Sequence, residues 1–437
     1  MAAPEFNVES GTYELYWEEN LVKIIVDRIQ ETSRGDVSSF IEVTTTKPGY
    51  SPHLNYSKFT LTTTGQRKSL ALHLQSIMAL NDETWITYIE QMCVMVLKHY
   101  HQGDDPVELD RYESESDDVI SLLHPVLVNG PNVIYGKGGI GKSLIALYFS
   151  LLLNLNKEHN DFTPVNYEMK PVLYLDWEGR LPTAKKRESM ILRGLGLTKQ
   201  PHNVVYIRMK QTLHSQINQV KRHIRRYHAG FLVIDSAAPA SGSPSDEKET
   251  MRFFNALENI GDIPSLIIAH VSKNANESSI YGSVFNHNLA RNVYELASQN
   301  EPGSRELYLG LIHKKSNDGR ILEPTALKFE FDTSDQGDLL TISKSQTDFI
   351  PEANKAKSLR QRIIDVIQYN PMTLTEIIES LDMTKNDAGK LRATLSRYKT
   401  EFTKNSDDKW RMLNETERLH QTSVSYTHLT LPTNREV

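Results

Sequence analysis

One cysteine, Cys93, is the entire thiol inventory of this 437-residue chain. That excludes a disulfide framework and any cysteine-ligated metal site, and it fits a reducing compartment. Cys93 sits in "WITYIEQMCVMVLKHY", where it reads as a small core residue on an amphipathic helix. The chain also has no signal peptide and no apolar run long enough to span a bilayer. A cytoplasmic protein with no membrane contact is therefore expected. Excess positive charge is missing too: 49 Lys and Arg stand against 55 Asp and Glu, a net charge of −6. A basic nucleic-acid coat is excluded, so any such contact must come from local patches. No internal repeat is apparent. The length is too great for one ordinary core, so two to four domains are expected.

The pattern divides as follows. Residues 1–105 read as a small α+β domain with no assignable motif. In it "LVKIIVDRI", "SSFIEVTTT" and "KFTLTTT" are β-rich, and "QRKSLALHLQSIM" and "ETWITYIEQMCVMVLKHY" are helical. Residues 106–118 are an acidic linker without apolar periodicity. Residues 119–344 alternate strand, loop and helix, with strands "NVIYG", "VLYLDWE", "VVYIRM", "GFLVIDS", "SLIIAHV", "ELYLGLIHK" and "ALKFEFD". The fold class is thus α/β, a mostly parallel sheet with helices on both faces. Residues 345–357 read as a second linker and 358–413 as a compact helical unit. "VSYTHLTLPTN", Val424–Asn434, reads as the translation of a sequencing-library transposase adapter, so the natural chain is cut somewhere near Gln421 and its true C-terminus is not given by this sequence.

Between strand "NVIY" and helix "KSLIALYFSLLLN" lies "GKGGIGKS". Gly136, Lys137, Gly138, Gly139, Ile140, Gly141, Lys142 and Ser143 fit the phosphate-loop spacing G-x-x-x-x-G-K-[ST]. Such a turn wraps backbone N–H groups around phosphate oxygens, with a helix N-terminus behind them. Lys142 would bridge the β- and γ-phosphates of ATP, and Ser143 would ligate Mg²⁺. The segment also contains K-G-G-x-G-K-S, the variant of the partition ATPases. Those proteins carry their loop near the chain start with an Asp-rich next strand, so Lys137 reads here as an exposed loop lysine. Asp235, ending the apolar strand "GFLVIDS", is suited to hold Mg²⁺ through water. The residue after it is Ser236, not an acid, so the base that activates water must come from elsewhere. "VLYLDWEGR" offers Asp176 and Glu178, which share a face if the strand alternates throughout, and it ends beside the loop if it pairs with "NVIYG". Glu178, nearer the carboxyl end, is the expected base.

Together, "GKGGIGKS", "VLYLDWEGRLPTAKKR", "FLVIDSAAPASG", "LIIAHVSKN", "YGSVFNHNLARNVYEL" and "LIHKKSNDGR" resemble the RecA-like ATPases of plasmid RepA-type hexameric helicases, relatives of DnaB-type helicases. The resemblance implies a homo-hexamer with ATP between subunits, hydrolysis by Glu178, and a central channel for single-stranded DNA. It implies that His270 senses the γ-phosphate; the alternative is a histidine bonded within the core. Trans-acting cations would fall at Arg187, Arg291 and Lys315, each of which reads equally as a surface ion-pair residue. DnaB-type proteins carry K-x-R-x-G at the last motif, where this chain has Lys315-Ser-Asn317-Asp-Gly319, without the arginine. Lys273 lies in a loop that would face the channel.

"SLRQRIIDVIQ", "TLTEIIESL", "NDAGKLRATLSRYKTEF" and "FTKNSDDKWRML" read as three helices and a β-wing, with Thr373 and Thr384 at N-cap positions. Between Lys355 and Arg411 stand twelve Lys and Arg against eight Asp and Glu. The unit resembles a winged helix-turn-helix whose third helix would present Lys385, Lys390, Arg392 and Arg397 to duplex DNA; many such modules dock proteins instead. The leading reading is an ATP-hydrolysing helicase or DNA-translocating ATPase of a phage- or plasmid-type replication module. The alternative is a nucleotide-switched DNA-binding regulator that assembles without unwinding.

Overall fold

The computed structural model describes residues 3–9, 11–80, 84–103, 121–165, 167–198, 200–243, 246–261, 263–271, 289–335, 337–414 and 417. The acidic linker, Lys273 and the segment Val424–Asn434 lie outside them. The chain forms two compact units, Met1–Val293 and Tyr294–Val437.

The first unit opens with an antiparallel meander, β1 (Glu5–Glu9), β2 (Thr12–Trp17), β3 (Val22–Glu31), β4 (Val37–Thr45) and β5 (His53–Thr60). The sequence pattern reveals only the last three. β4 alternates buried and half-buried residues along its whole length, so one face is core. That core is closed by α1 (Thr64–Ile77) and α2 (Trp85–Gln102), which bring in Leu74, Tyr88, Met92 and the buried Cys93. Trp17 stacks on Tyr88 at 4.4 Å.

A three-stranded patch, β6 (Ser121–His124), β7 (Leu127–Val128) and β9 (Thr163–Pro164), accompanies the main sheet. The main sheet holds β8 (Pro131–Gly136), β10 (Val172–Asp176), β11 (Val204–Arg208), β12 (Phe231–Asp235) and β13 (Ser265–His270), in spatial order β11–β10–β12–β13–β8. Every pair is parallel, as the alternation of strand and helix requires. The helices are α3 (Lys142–Asn154), α4 (Leu181–Gly194), α5 (Leu213–Tyr227), α6 (Ala237–Ser241) and α7 (Glu247–Ile260). Val133, Leu173, Leu175, Leu232, Ile234 and Ile267 pack with α5 and α7. The alternate residues of these strands point to the opposite face. α3 is buried at every residue but Ser143, as its all-round apolar sequence demands. β10 does not pair with β8. β12 and β13 lie between the two, and β10 pairs with β12 instead, so the expectation that its end falls beside the phosphate-loop strand is corrected.

The second unit holds β14 (Asn292–Gln299), β15 (Glu306–Ser316), β16 (Thr325–Ser334) and β17 (Gly337–Ser345). β15, β16 and β17 pair antiparallel, because the turns between them are too short to carry a parallel crossover. Parallel pairing therefore stops before "ELYLGLIHK" and "ALKFEFD". Residues 345–357, read as a linker, carry a short turn and α8 (Pro351–Ala356). Then come α9 (Leu359–Ile367), α10 (Leu374–Ser380), α11 (Ala388–Arg397) and the hairpin β18 (Phe402–Lys404) and β19 (Trp410–Met412), around Ile363, Ile377, Leu391 and Phe402. Thr373 caps α10 in a capping box with Glu376. Thr384 instead bonds Asp387, the residue before α11.

Because Thr373 satisfies an end N–H that has no partner within the helix, Thr373→Ala should destabilise the second unit by about 1 kcal/mol. Amide hydrogen exchange of α9, α10 and α11 in the full chain measures this.

Candidate active site

β8 stops at Gly136 and α3 starts at Lys142, so Lys137–Gly141 make the turn between them. Gly139 and Gly141 have φ of +77° and +102°, a region that favours glycine. A Cβ at Gly138 or Gly139 would meet nothing, so the loop face is open. The sequence therefore builds a turn with accessible N–H groups directly before the start of a buried helix.

Lys142 is 5% exposed and folds back over this turn. Its Nζ donates to Gly136 O at 2.9 Å and Lys137 O at 2.6 Å. Burial pushes its pKa down, against the attraction of Asp235 and Glu178. Nζ also lies 3.5 Å from His270 Nδ1. An ammonium can only donate, so Nδ1 accepts and Nε2 carries the ring hydrogen. Nε2 stands 3.4 Å from Glu178 Oε1. Ser236 Oγ donates to that same oxygen. Lys142, His270, Glu178 and Ser236 thus form one connected polar chain across the ends of β8, β13, β10 and β12.

Asp235 is buried at the end of β12, and the peptide that follows it is cis. Tyr174 OH donates to its Oδ2 at 2.7 Å, and the Ser143 side chain bonds it as well. Burial nevertheless raises the Asp235 pKa, and the charges of Asp176 and Glu178 push the same way. A hydroxyl and an underneutralised carboxylate side by side are a hard-oxygen pair suited to Mg²⁺ that keeps its waters and its contacts to phosphate.

Asp176 does not share a face with Glu178 on a continuing strand. The strand ends at Asp176, whose Oδ1 accepts from Glu178 N at 2.8 Å and Gly179 N at 2.6 Å, while Oδ2 accepts from Tyr206 OH at 2.9 Å. A Cβ on Gly179 would lie 2.4 Å from Asp176 Oδ2, so this turn requires glycine. Asp176 fixes the turn that carries Glu178. A cavity of about 450 Å³ runs from Ser143, Asp235 and Glu178 along α4, past Tyr174, Tyr206 and Arg187.

Arg187 thus lines the cavity of its own chain. Arg291 does not approach the phosphate loop: its side chain packs on Gly130, at the opposite end of β8. Lys315, near the end of β15 in the second unit, has a pKa lowered by burial, and its carbonyl is 2.8 Å from His313 Nε2. Lys385 lies in a short turn before α11, and its side chain is not among those described. Lys390, Arg392 and Arg397 are exposed on α11, and Lys390 pairs with Asp387 at 3.1 Å. Sequence reasoning missed Tyr174, Tyr206 and Ser236. The signal for Tyr174 was its place two residues before Asp176; for Ser236 it was a hydroxyl where an acid was sought.

A family model described as an AAA domain matches residues 101–276, a span containing the loop, Glu178, Asp235 and His270. No curated protein matches the chain. Among solved structures, a KaiC-like protein from the hyperthermophilic archaeon Pyrococcus horikoshii OT3 is 15% identical, over 50% of this chain and 93% of that one, with a TM-score of 0.34. The loop, its flanking acids and the AAA-domain match support a P-loop ATPase that hydrolyses a nucleoside triphosphate.

The raised pKa of Asp235 has a definite sign. Its ionised form opposes folding, fully above the folded pKa and less as pH falls toward the unfolded value. Asp235→Asn, which keeps an acceptor for Tyr174, should therefore melt higher than the wild type at neutral pH without ligands. The gap should close on acidification. The variant should also lose the added thermal stability that magnesium gives in the presence of nucleotide, read by differential scanning fluorimetry.

Proposed function

We propose that this chain is an ATP-hydrolysing DNA helicase or DNA-translocating ATPase of a phage- or plasmid-type replication module, working as a homo-hexamer. The observation that carries this reading is the position of His270. Its ring lies between the phosphate-loop lysine and the candidate base. Two residues further along the chain it gives way to "SKNANESSIYGS", the segment with Lys273 that the family resemblance assigns to a DNA channel. A group touching both the γ-phosphate lysine and the water-activating acid registers whether the γ-phosphate is present, and its strand passes that state to the following segment.

In the proposed chemistry Lys142 leaves the Gly136 and Lys137 carbonyls for the phosphates. Ser143 and Asp235 would hold magnesium, which would supply charge neutralisation at the phosphate oxygens. Glu178 takes the proton of the attacking water. Tyr174 keeps Asp235 in place, and its phenol, pushed well above its usual pKa by burial and by Asp235, stays a donor throughout.

A second reading is supported by the C-terminal unit. Three helices and a hairpin with exposed Lys390, Arg392 and Arg397 suit a winged helix that holds duplex DNA, the equipment of a nucleotide-switched regulator.

Glu178→Gln should bind ATP within about twofold of the wild type and lose turnover by about 100-fold or more, as loss of a general base does. Lys142→Ala should weaken nucleotide binding itself. Single-stranded DNA should stimulate the wild-type ATPase, a forked duplex should open, and light scattering should give the mass of six chains. Near-normal turnover in Glu178→Gln removes the base assignment; ATPase indifferent to single strands, with no unwinding, favours the regulator.

The duplex contact is tested separately. Lys390→Ala with Arg397→Ala in the full chain should abolish duplex binding and flatten its salt dependence, since that slope follows the phosphates neutralised. ATP turnover should stay at the wild-type level. Undiminished, equally salt-sensitive binding by the double variant would take the duplex contact away from α11.

A further inference from the structure

We propose that Ser236 is a positioning residue for Glu178, and that it couples the aim of the base to Asp235, the carboxylate that would hold the metal. The proposal rests on Glu178 being the base. The residue itself is fully buried, 0% exposed, and its hydroxyl donates to Glu178 Oε1. Glu178, in contrast, has a side chain 50% exposed, so packing does not hold it. It reaches the site on three rotatable bonds, and only polar contacts select its rotamer. Of the two it makes among the described residues, the one to His270 is long at 3.4 Å, which leaves the Ser236 hydroxyl as the principal restraint. Both contacts fall on Oε1, which leaves Oε2 to accept a proton.

Ser236 is also the chain neighbour of Asp235, and the two strands are tied there a second time. The carbonyl of Asp235 accepts from Trp177 N at 2.7 Å. The ends of β10 and β12 are thus cross-linked by a main-chain bond at Trp177 and a side-chain bond at Glu178, in consecutive residues on each strand. Meanwhile Asp176 holds the backbone of Glu178 from within its own strand. The backbone of the base is set by Asp176 and its carboxylate by Ser236. Any displacement of Asp235, such as a change in what it ligates, therefore moves the donor that aims the base.

This arrangement gives a chemical reason for serine at the position. A second acid directly after Asp235 would supply a base from the same strand but add a like charge beside a carboxylate already raised by burial. Here the acid comes from β10, and the Asp235 strand contributes a neutral donor that orients it. A base misplaced by about 1 Å loses about 100-fold in rate, which sets the scale of the effect.

The test is steady-state and single-turnover ATP hydrolysis by the full chain. Ser236→Ala should lower kcat by about 10- to 100-fold with KM and nucleotide affinity unchanged within about twofold, because the hydroxyl aims the base and does not bind nucleotide. In the Glu178→Gln background the same substitution should cost nothing more, since residues that act through one another are not additive. Ser236→Thr, which keeps the donor, should restore most of the rate. If Ser236→Ala does not fold, Ser236→Cys, near in size with a weaker donor, takes its place with the same expectations. Wild-type kcat in the alanine or cysteine variant overturns the proposal, as does a loss that appears in full on top of Glu178→Gln. A Glu178→Gln enzyme that turns over normally would instead overturn the base assignment beneath it.

Discussion

Parallel pairing in register is the constraint from which the site follows. Asp176 stands opposite Asp235, Asp235 opposite Ile268, and His270 opposite Gly136. Four strands from separate parts of the chain therefore end at nearly one level, and the residues just beyond them converge. Neither Glu178 nor Ser143 lies on a strand; each is placed by where a strand stops. A slip of one residue between β10 and β12 would turn Tyr174 and Asp176 to the wrong face and break the contact of Glu178 with Ser236.

The same register builds a repeated device. Tyr174 on β10 and Tyr206 on β11 are direct neighbours, with rings stacked at 6.4 Å. Each donates its hydroxyl to an aspartate on the adjacent strand, Tyr174 to Asp235 and Tyr206 to Asp176. The aspartate accepting from Tyr206 is itself two residues beyond Tyr174, on the same face of β10. Burial comes first in raising both phenols, Tyr206 to about 12, so neither loses its proton in the range where carboxylates titrate. Two acids of equal sign are thereby held close to one another by donors that never switch role. One acid is left half-satisfied for a cation, and the other is consumed by its own turn.

Much of this was legible in the sequence for a physical reason. A phosphate loop needs glycines, a lysine and a hydroxyl at fixed spacing, and a strand-end carboxylate further along the chain from such a loop is suited to its metal. Lys142, Ser143, Asp235 and Glu178 could therefore be named from residues alone, and the structure brings them together with His270. Neighbour order was harder to read. Periodicity shows that "VLYLDWE" is a buried strand, not which strand it lies against, so its partner proved to be β12 and not β8. The roles of Asp176 and Ser236 were also hidden, since each depends on a bond to a residue fixed only once the strands are paired. The antiparallel pairing of β15 and β16 was not legible because their apolar runs look like those of a parallel sheet and only the missing crossover helix distinguishes them; β17 was not among the expected strands.

The two candidate arginines are not equivalent. Arg187 lines the cavity that contains Asp235 on its own chain, and its charge already acts on Tyr174 there. It needs no neighbour to influence the nucleotide site. Arg291 packs on Gly130, before β8 begins, whereas the phosphate loop follows where β8 ends. At about 3.3 Å per residue, the six-residue strand separates the two by roughly 17 Å, beyond the span of an arginine side chain. Arg291 therefore cannot serve the nucleotide of its own chain. In the proposed ring its charge would reach a nucleotide only across a subunit boundary; within its own chain its side chain packs on Gly130. Of the two arginines, Arg291 is thus the one whose proposed role at a nucleotide would require assembly.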